Sequence, residues 1–120
     1  MRRALLVSVL AITLALPGAA QARSSYCSPS GDYCTSATAR GGGALLRLAT
    51  FSFRGLVRVC VEPPSGAGTC KRFALRKSKE GIFVSFVRWG VHFPDRGAGT
   101  YRVRWQKFGG TLGPPLTFKR

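Results

Sequence analysis

The sequence predicts an all-β fold, a single antiparallel sandwich of about seven strands, and two observations carry that expectation. Runs of roughly six to ten residues rich in Val, Phe, Leu and aromatics recur, each followed by a cluster of Gly, Pro, Ser or Asp. No stretch keeps an apolar 3.6-residue period for several turns, so helix is scarce.

In chain order, the first segment is not part of that fold. Met1, Arg2 and Arg3 form a charged start, residues 4–16 are an almost unbroken apolar run, and Ala20-Gln21-Ala22 supplies small residues where a signal peptidase reads. Residues 1–22 therefore read as a cleavable signal peptide, and the product as secreted. The apolar run is shorter than the roughly 20 residues that span a bilayer, and Pro17-Gly18 ends it, so no membrane span is expected after cleavage. Removing 22 of 120 residues leaves 98, enough for one domain over residues 23–120. The chain carries 19 basic and 4 acidic residues, and losing Arg2 and Arg3 leaves 17 against 4, a net charge of +13. Such a charge attracts anions and repels further copies, which suits a monomer.

The strand candidates are 33–39, 44–53, 56–62, 69–76, 82–89, 100–107 and 115–119. Gly and Pro clusters separate them at Arg40-Gly41-Gly42-Gly43, at residues 63–68, at residues 94–99 and at Phe108-Gly109-Gly110. Residues two apart share a face, so Val57, Val59 and Val61 point to the core while Arg58 and Cys60 point out. Phe73 and Leu75 oppose Cys70, Arg72, Ala74 and Arg76. Tyr101, Val103 and Trp105 alternate with Arg102, Arg104 and Gln106. Leu45 and Leu46 are adjacent, which suggests a bulge or face switch in 44–53. Pro114-Pro115 cannot donate to a ladder, which places the last strand at a sheet edge.

An even number of cysteines in an exported chain argues for disulfides. Cys27 and Cys34 lie 7 apart and Cys60 and Cys70 lie 10 apart, with Gly and Pro between members, so neighbouring pairs are expected. Alternation independently puts Cys60 and Cys70 on the outward side of one hairpin. A metal site is not expected, because His92 is the sole histidine and no Cys-x-x-Cys exists.

The segment Gly99-Thr100-Tyr101-Arg102-Val103-Arg104-Trp105, then Gly109-Gly110, then Leu112-Gly113-Pro114-Pro115-Leu116-Thr117-Phe118, resembles the closing hairpin of bacterial immunoglobulin-like and fibronectin type III-like domains. The resemblance implies an immunoglobulin-like sandwich with Tyr101 at the tyrosine-corner position. Val103 stands where antibody-type domains carry a cysteine, and Asp95 lies six residues before the tyrosine where many relatives have an acidic residue four before. It implies further that the third, fourth, sixth and seventh strands share a sheet. Their outward positions would gather Arg58, Arg72, Arg76, Arg102 and Arg104 around the Cys60–Cys70 bridge, with Lys119 near the edge.

Guanidinium groups on a rigid sheet can grip carboxylates or phosphates in paired hydrogen bonds. The expected function is thus non-catalytic binding of an anionic polymer or an acidic protein at the cell surface. A structural or protein-interaction module with a merely solvated arginine face is the alternative. Nucleic acid is disfavoured, because Tyr101 and Trp105 alternate inward instead of offering stacking platforms. Neither a catalytic constellation nor a cofactor motif is present: the acids Asp32, Glu62, Glu80 and Asp95 all lie in or beside turns, and His92 with Asp95 reads as a loop.

Overall fold

The computed structural model describes residues 24–120. The segment read as a signal peptide lies outside them. Nine strands and one short helix follow in the order β1 (Ser25–Cys27), β2 (Tyr33–Arg40), β3 (Gly43–Thr50), β4 (Gly55–Glu62), β5 (Thr69–Lys77), β6 (Phe83–Arg88), α1 (Trp89–His92), β7 (Thr100–Lys107), β8 (Gly110–Thr111) and β9 (Leu116–Lys119).

Every pairing is antiparallel, and the strands form one curled sheet in the order β1-β2-β3-β6-β5-β4-β7-β8, with β9 also on β7. The curl turns on β5. Its first seven residues pair with β4, whereas only Arg76 and Lys77 reach β6, opposite Val84 and Phe83. The strands expected to share a surface accordingly lie side by side as β5-β4-β7-β9.

Alternation explains the packing. Val57, Val59 and Val61 of β4, and Tyr101, Val103 and Trp105 of β7, are all buried. They meet Leu46 and Leu48 of β3, Val87 of β6, and Leu116 and Phe118 of β9 in one core. Trp89 seals it, with its ring 4.7 Å from Tyr101 and 5.2 Å from Phe118, while Tyr101 and Phe118 stack at 5.1 Å. Burying such rings is the largest single source of apolar stabilisation in a domain of this size.

Several expectations are revised. Residues 44–53 do not bulge: β3 keeps continuous register with β2 and β6, Leu46 faces the core, and Leu45 sits half-buried on the other face opposite Arg88. The strand ends at Thr50, leaving Phe51, Ser52 and Phe53 in a loop. Trp89 opens a single helical turn instead of closing a strand. The β2–β3 turn has Gly41 and Gly42 both at positive φ (48° and 83°), which a two-residue hairpin loop of this twist requires.

Tyr26 of β1 packs so closely on Gly113 (φ 72°) that a Cβ there would clash with its ring. The β8–β9 connection therefore needs glycine at that point.

Candidate functional site

The bridges are cross-strand. Cys27 is bonded to Cys34 and Cys60 to Cys70, each pair directly opposite in the ladder. Cys60–Cys70 lies on the outward face of β4 and β5. Register then decides which arginines meet.

One row crosses four strands as Thr111, Gln106, Arg58 and Arg72, each directly opposite the next. Neighbouring strands are about 4.8 Å apart, so this row spans about 14 Å. Arg58 and Arg72 are both exposed, and among the described residues neither forms an ion pair. Like charges placed directly opposite each other cost stability unless an anion lies between them. The row floors an open depression of about 470 Å³, with Leu56, Lys107, Phe108 and the Gly109-Gly110 turn along its side.

The other arginines stand apart. Arg104 lies beside Cys60 in register and is ion-paired with Glu62, so its charge is already answered. Arg102 lies between Glu62 and Thr117, about 13 Å along β7 from Gln106. Arg76 sits at the β5–β6 junction opposite Val84, about 13 Å along β5 from Arg72. Lys119 is exposed opposite Thr100 at the far end of β9. The five arginines thus divide into an open pair, a neutralised centre and two outliers.

Three features of this side of the molecule were not assigned from the sequence. Glu62 shares the outward parity of Arg58 and Cys60, a signal that could have placed it on this face. Lys107 donates from Nζ to the Leu56 carbonyl oxygen at 2.8 Å, and its ammonium sits 4.9 Å from the Phe108 ring centre and 5.8 Å from that of Phe53. Phe108 is 79% exposed. Behind it runs a line of rings, Phe53 at 5.7 Å, then Tyr33 and Tyr26 at successive spacings of 6.1 and 6.2 Å. Burial of the Tyr33 hydroxyl, and then its neighbour Tyr26, push its pKa above the ordinary value.

At the opposite end, Tyr101 donates its hydroxyl to the Gly97 carbonyl oxygen at 2.7 Å and accepts from the Arg96 N–H at 2.9 Å. The corner is closed four residues upstream, on the backbone. Asp95 accepts from the Gly97 N–H at 2.9 Å and pairs with Arg120. That backbone hydrogen bond, aided by Arg120 and Tyr101, holds the Asp95 carboxyl below its ordinary pKa. His92 stands edge-on to Phe73 at 5.2 Å.

No family model and no curated protein matches this chain. Among solved structures it is similar to a carbohydrate-binding module, BhCBM56, in its Br derivative. Identity is 18% and the TM-score 0.48, over 81% of this chain and 99% of that one.

Proposed function

We propose that the chain is a secreted, non-catalytic binding domain that acts as a monomer and engages an anionic cell-envelope component through the Arg58–Arg72 end of its arginine-bearing face. The fold assigned in this reading is an immunoglobulin-like sandwich, with β2-β3-β6 as one layer and β5-β4-β7-β9 as the other. Its support is the strand order and the tyrosine corner at Tyr101.

The observation that carries the binding reading is Arg58 directly opposite Arg72 in the ladder, in one row with Gln106 and Thr111, with neither arginine in an ion pair among the described residues. Two guanidiniums at neighbouring-strand spacing can share one phosphate or carboxylate, each through paired N–H donors. Lysine would give charge without that geometry.

The test is retention of the purified protein on a phosphate-bearing matrix at physiological salt. Arg58→Gln with Arg72→Gln abolishes retention, whereas Arg104→Gln changes it little because Glu62 already occupies that side chain. Retention that survives loss of Arg58 and Arg72 points to the interaction-module reading instead. Retention also falls steeply as salt rises, since the Debye length is only about 8 Å at 0.15 M.

A further inference from the structure

The β7–β8 hairpin carries a costly residue at its tip. Lys107 and Gly110 close a two-residue turn whose central residues, Phe108 and Gly109, both have positive φ (54° and 74°). Such turns favour Asn-Gly, because a short polar side chain tolerates the left-handed region and a bulky one does not. Phe108 is the one non-glycine residue with positive φ among the described residues, and its ring is 79% exposed. Backbone preference and hydration both oppose a phenylalanine there. A strained residue kept in the open, where it adds nothing to the core, is a pointer to function.

Phe108 is not isolated. The β3–β4 loop reaches the same end of the molecule, since its Phe53 touches Phe108, and it exposes Phe51 to 73%. Leu56, 57% exposed, lies beside them near the start of β4. Of the five large exposed hydrophobics among the described residues, Phe51, Leu56 and Phe108 thus gather at one end. Cations surround them: Arg58 and Arg72 on the sheet, exposed Arg54 in the loop, and Lys107 against the rings. The β5–β6 turn at this end adds Lys79 and Glu80, and the β1–β2 loop adds Asp32, so the acids present are outnumbered.

We infer that this end docks on an anionic lipid surface, with Phe108, Phe51 and Leu56 entering the headgroup boundary and Arg58 and Arg72 holding lipid phosphate. The inference rests on the anion-binding reading above and names its ligand. A dissolved polyanion would give the arginines a partner but leave the rings in water. A lipid interface accommodates both, because apolar side chains and juxtaposed basic residues each add to interfacial affinity.

The experiment compares vesicles of phosphatidylcholine alone, vesicles containing about one-third phosphatidylglycerol, and soluble polyphosphate. The protein sediments with the anionic vesicles only, the neutral arm subtracting any partitioning by the apolar run at residues 4–16. Phe108→Asn and Phe51→Ser each weaken vesicle binding by about tenfold or more. Polyphosphate binding is unchanged by either, and Phe108→Asn melts no lower than the parent because asparagine suits the turn. Trp89 and Trp105 are buried, so in Phe108→Trp the added indole reports alone on the tip, and its emission shifts to the blue with anionic vesicles. Ring variants that bind vesicles like the parent, or a Phe108→Trp emission that does not move, overturn the lipid inference while leaving the arginine reading intact. Polyphosphate binding without vesicle binding makes the ligand a soluble polyanion. Arg58→Gln with Arg72→Gln that still binds both probes overturns the anion reading itself.

Discussion

Asp95 shows how much one exposed side chain can organise. Its Oδ1 closes a turn onto the Gly97 N–H, the Gly97 carbonyl accepts the Tyr101 hydroxyl, and Arg120 reaches its other oxygen while pairing through its backbone with Gly99. The loop before β7, the buried Tyr101 ring and the last residue of the chain are thereby tied at one point. Because these donors favour the ionised form, the folded-state pKa lies below the ordinary 3.8. The stabilisation is therefore complete above that value and is lost as pH falls through the lower folded-state pKa. Asp95→Asn is expected to melt below the parent at neutral pH, with the gap closing once the pH drops well under 3.8. Melting followed by circular dichroism across that range is the check. A gap that stays constant to low pH would mean that Asp95 acts through shape and not charge.

At the scale of elements, the β4–β5 hairpin is where sequence and register divide the information. The inward faces of β4 and β7 were legible because Val57, Val59, Val61, Tyr101, Val103 and Trp105 alternate without a break over a half-buried surface. Alternation assigns a face but not a level. It could place Arg58, Arg72, Arg102 and Arg104 on one side, yet only the ladder sets Arg58 opposite Arg72 and brings Glu62 to Arg104. Strand β1, three residues with no apolar pattern, exists through pairing with β2 and the Cys27–Cys34 bridge, which local propensity does not record. The conformation of Phe108 was likewise hidden, because the chemistry of that turn favours a different residue. The hairpin's own bridge closes a short loop, worth about 2–3 kcal/mol by chain entropy. Replacing Cys60 and Cys70 by alanine should lower the unfolding free energy by about that amount, read as a lower denaturant midpoint. Matrix retention well below the melting temperature should persist, since the remaining ladder still opposes Arg58 and Arg72. Loss of retention in a folded double variant would show that the bridge itself sets their register.

For the molecule as a whole, the question is whether a sheet joined across β5–β6 by two residue pairs behaves as one unit. The ladder there is thin, so coupling between β2-β3-β6 and β5-β4-β7-β9 has to pass through side chains. Trp89, the first residue of α1 after β6, packs on Tyr101 of β7 and Phe118 of β9, and Leu46, Val87, Val59 and Trp105 belong to the same buried cluster. Exposing either half would strip apolar cover from the other, and deleting a large buried ring typically costs about 3–5 kcal/mol, a sizeable share of a small domain's stability. Neither half can then stay folded alone, and unfolding should be all-or-none. The two tryptophans make this measurable, one on each side of the thin join. Trp89→Phe leaves Trp105 as reporter of the β4–β7 side, and Trp105→Phe leaves Trp89 as reporter of the β3–β6 side. Within each variant, the fluorescence midpoint should coincide with the far-ultraviolet dichroism midpoint, even though the two variants differ in stability. A fluorescence transition that runs ahead of the dichroism in one variant and behind it in the other would show that the halves open separately and that the core does not bridge the join.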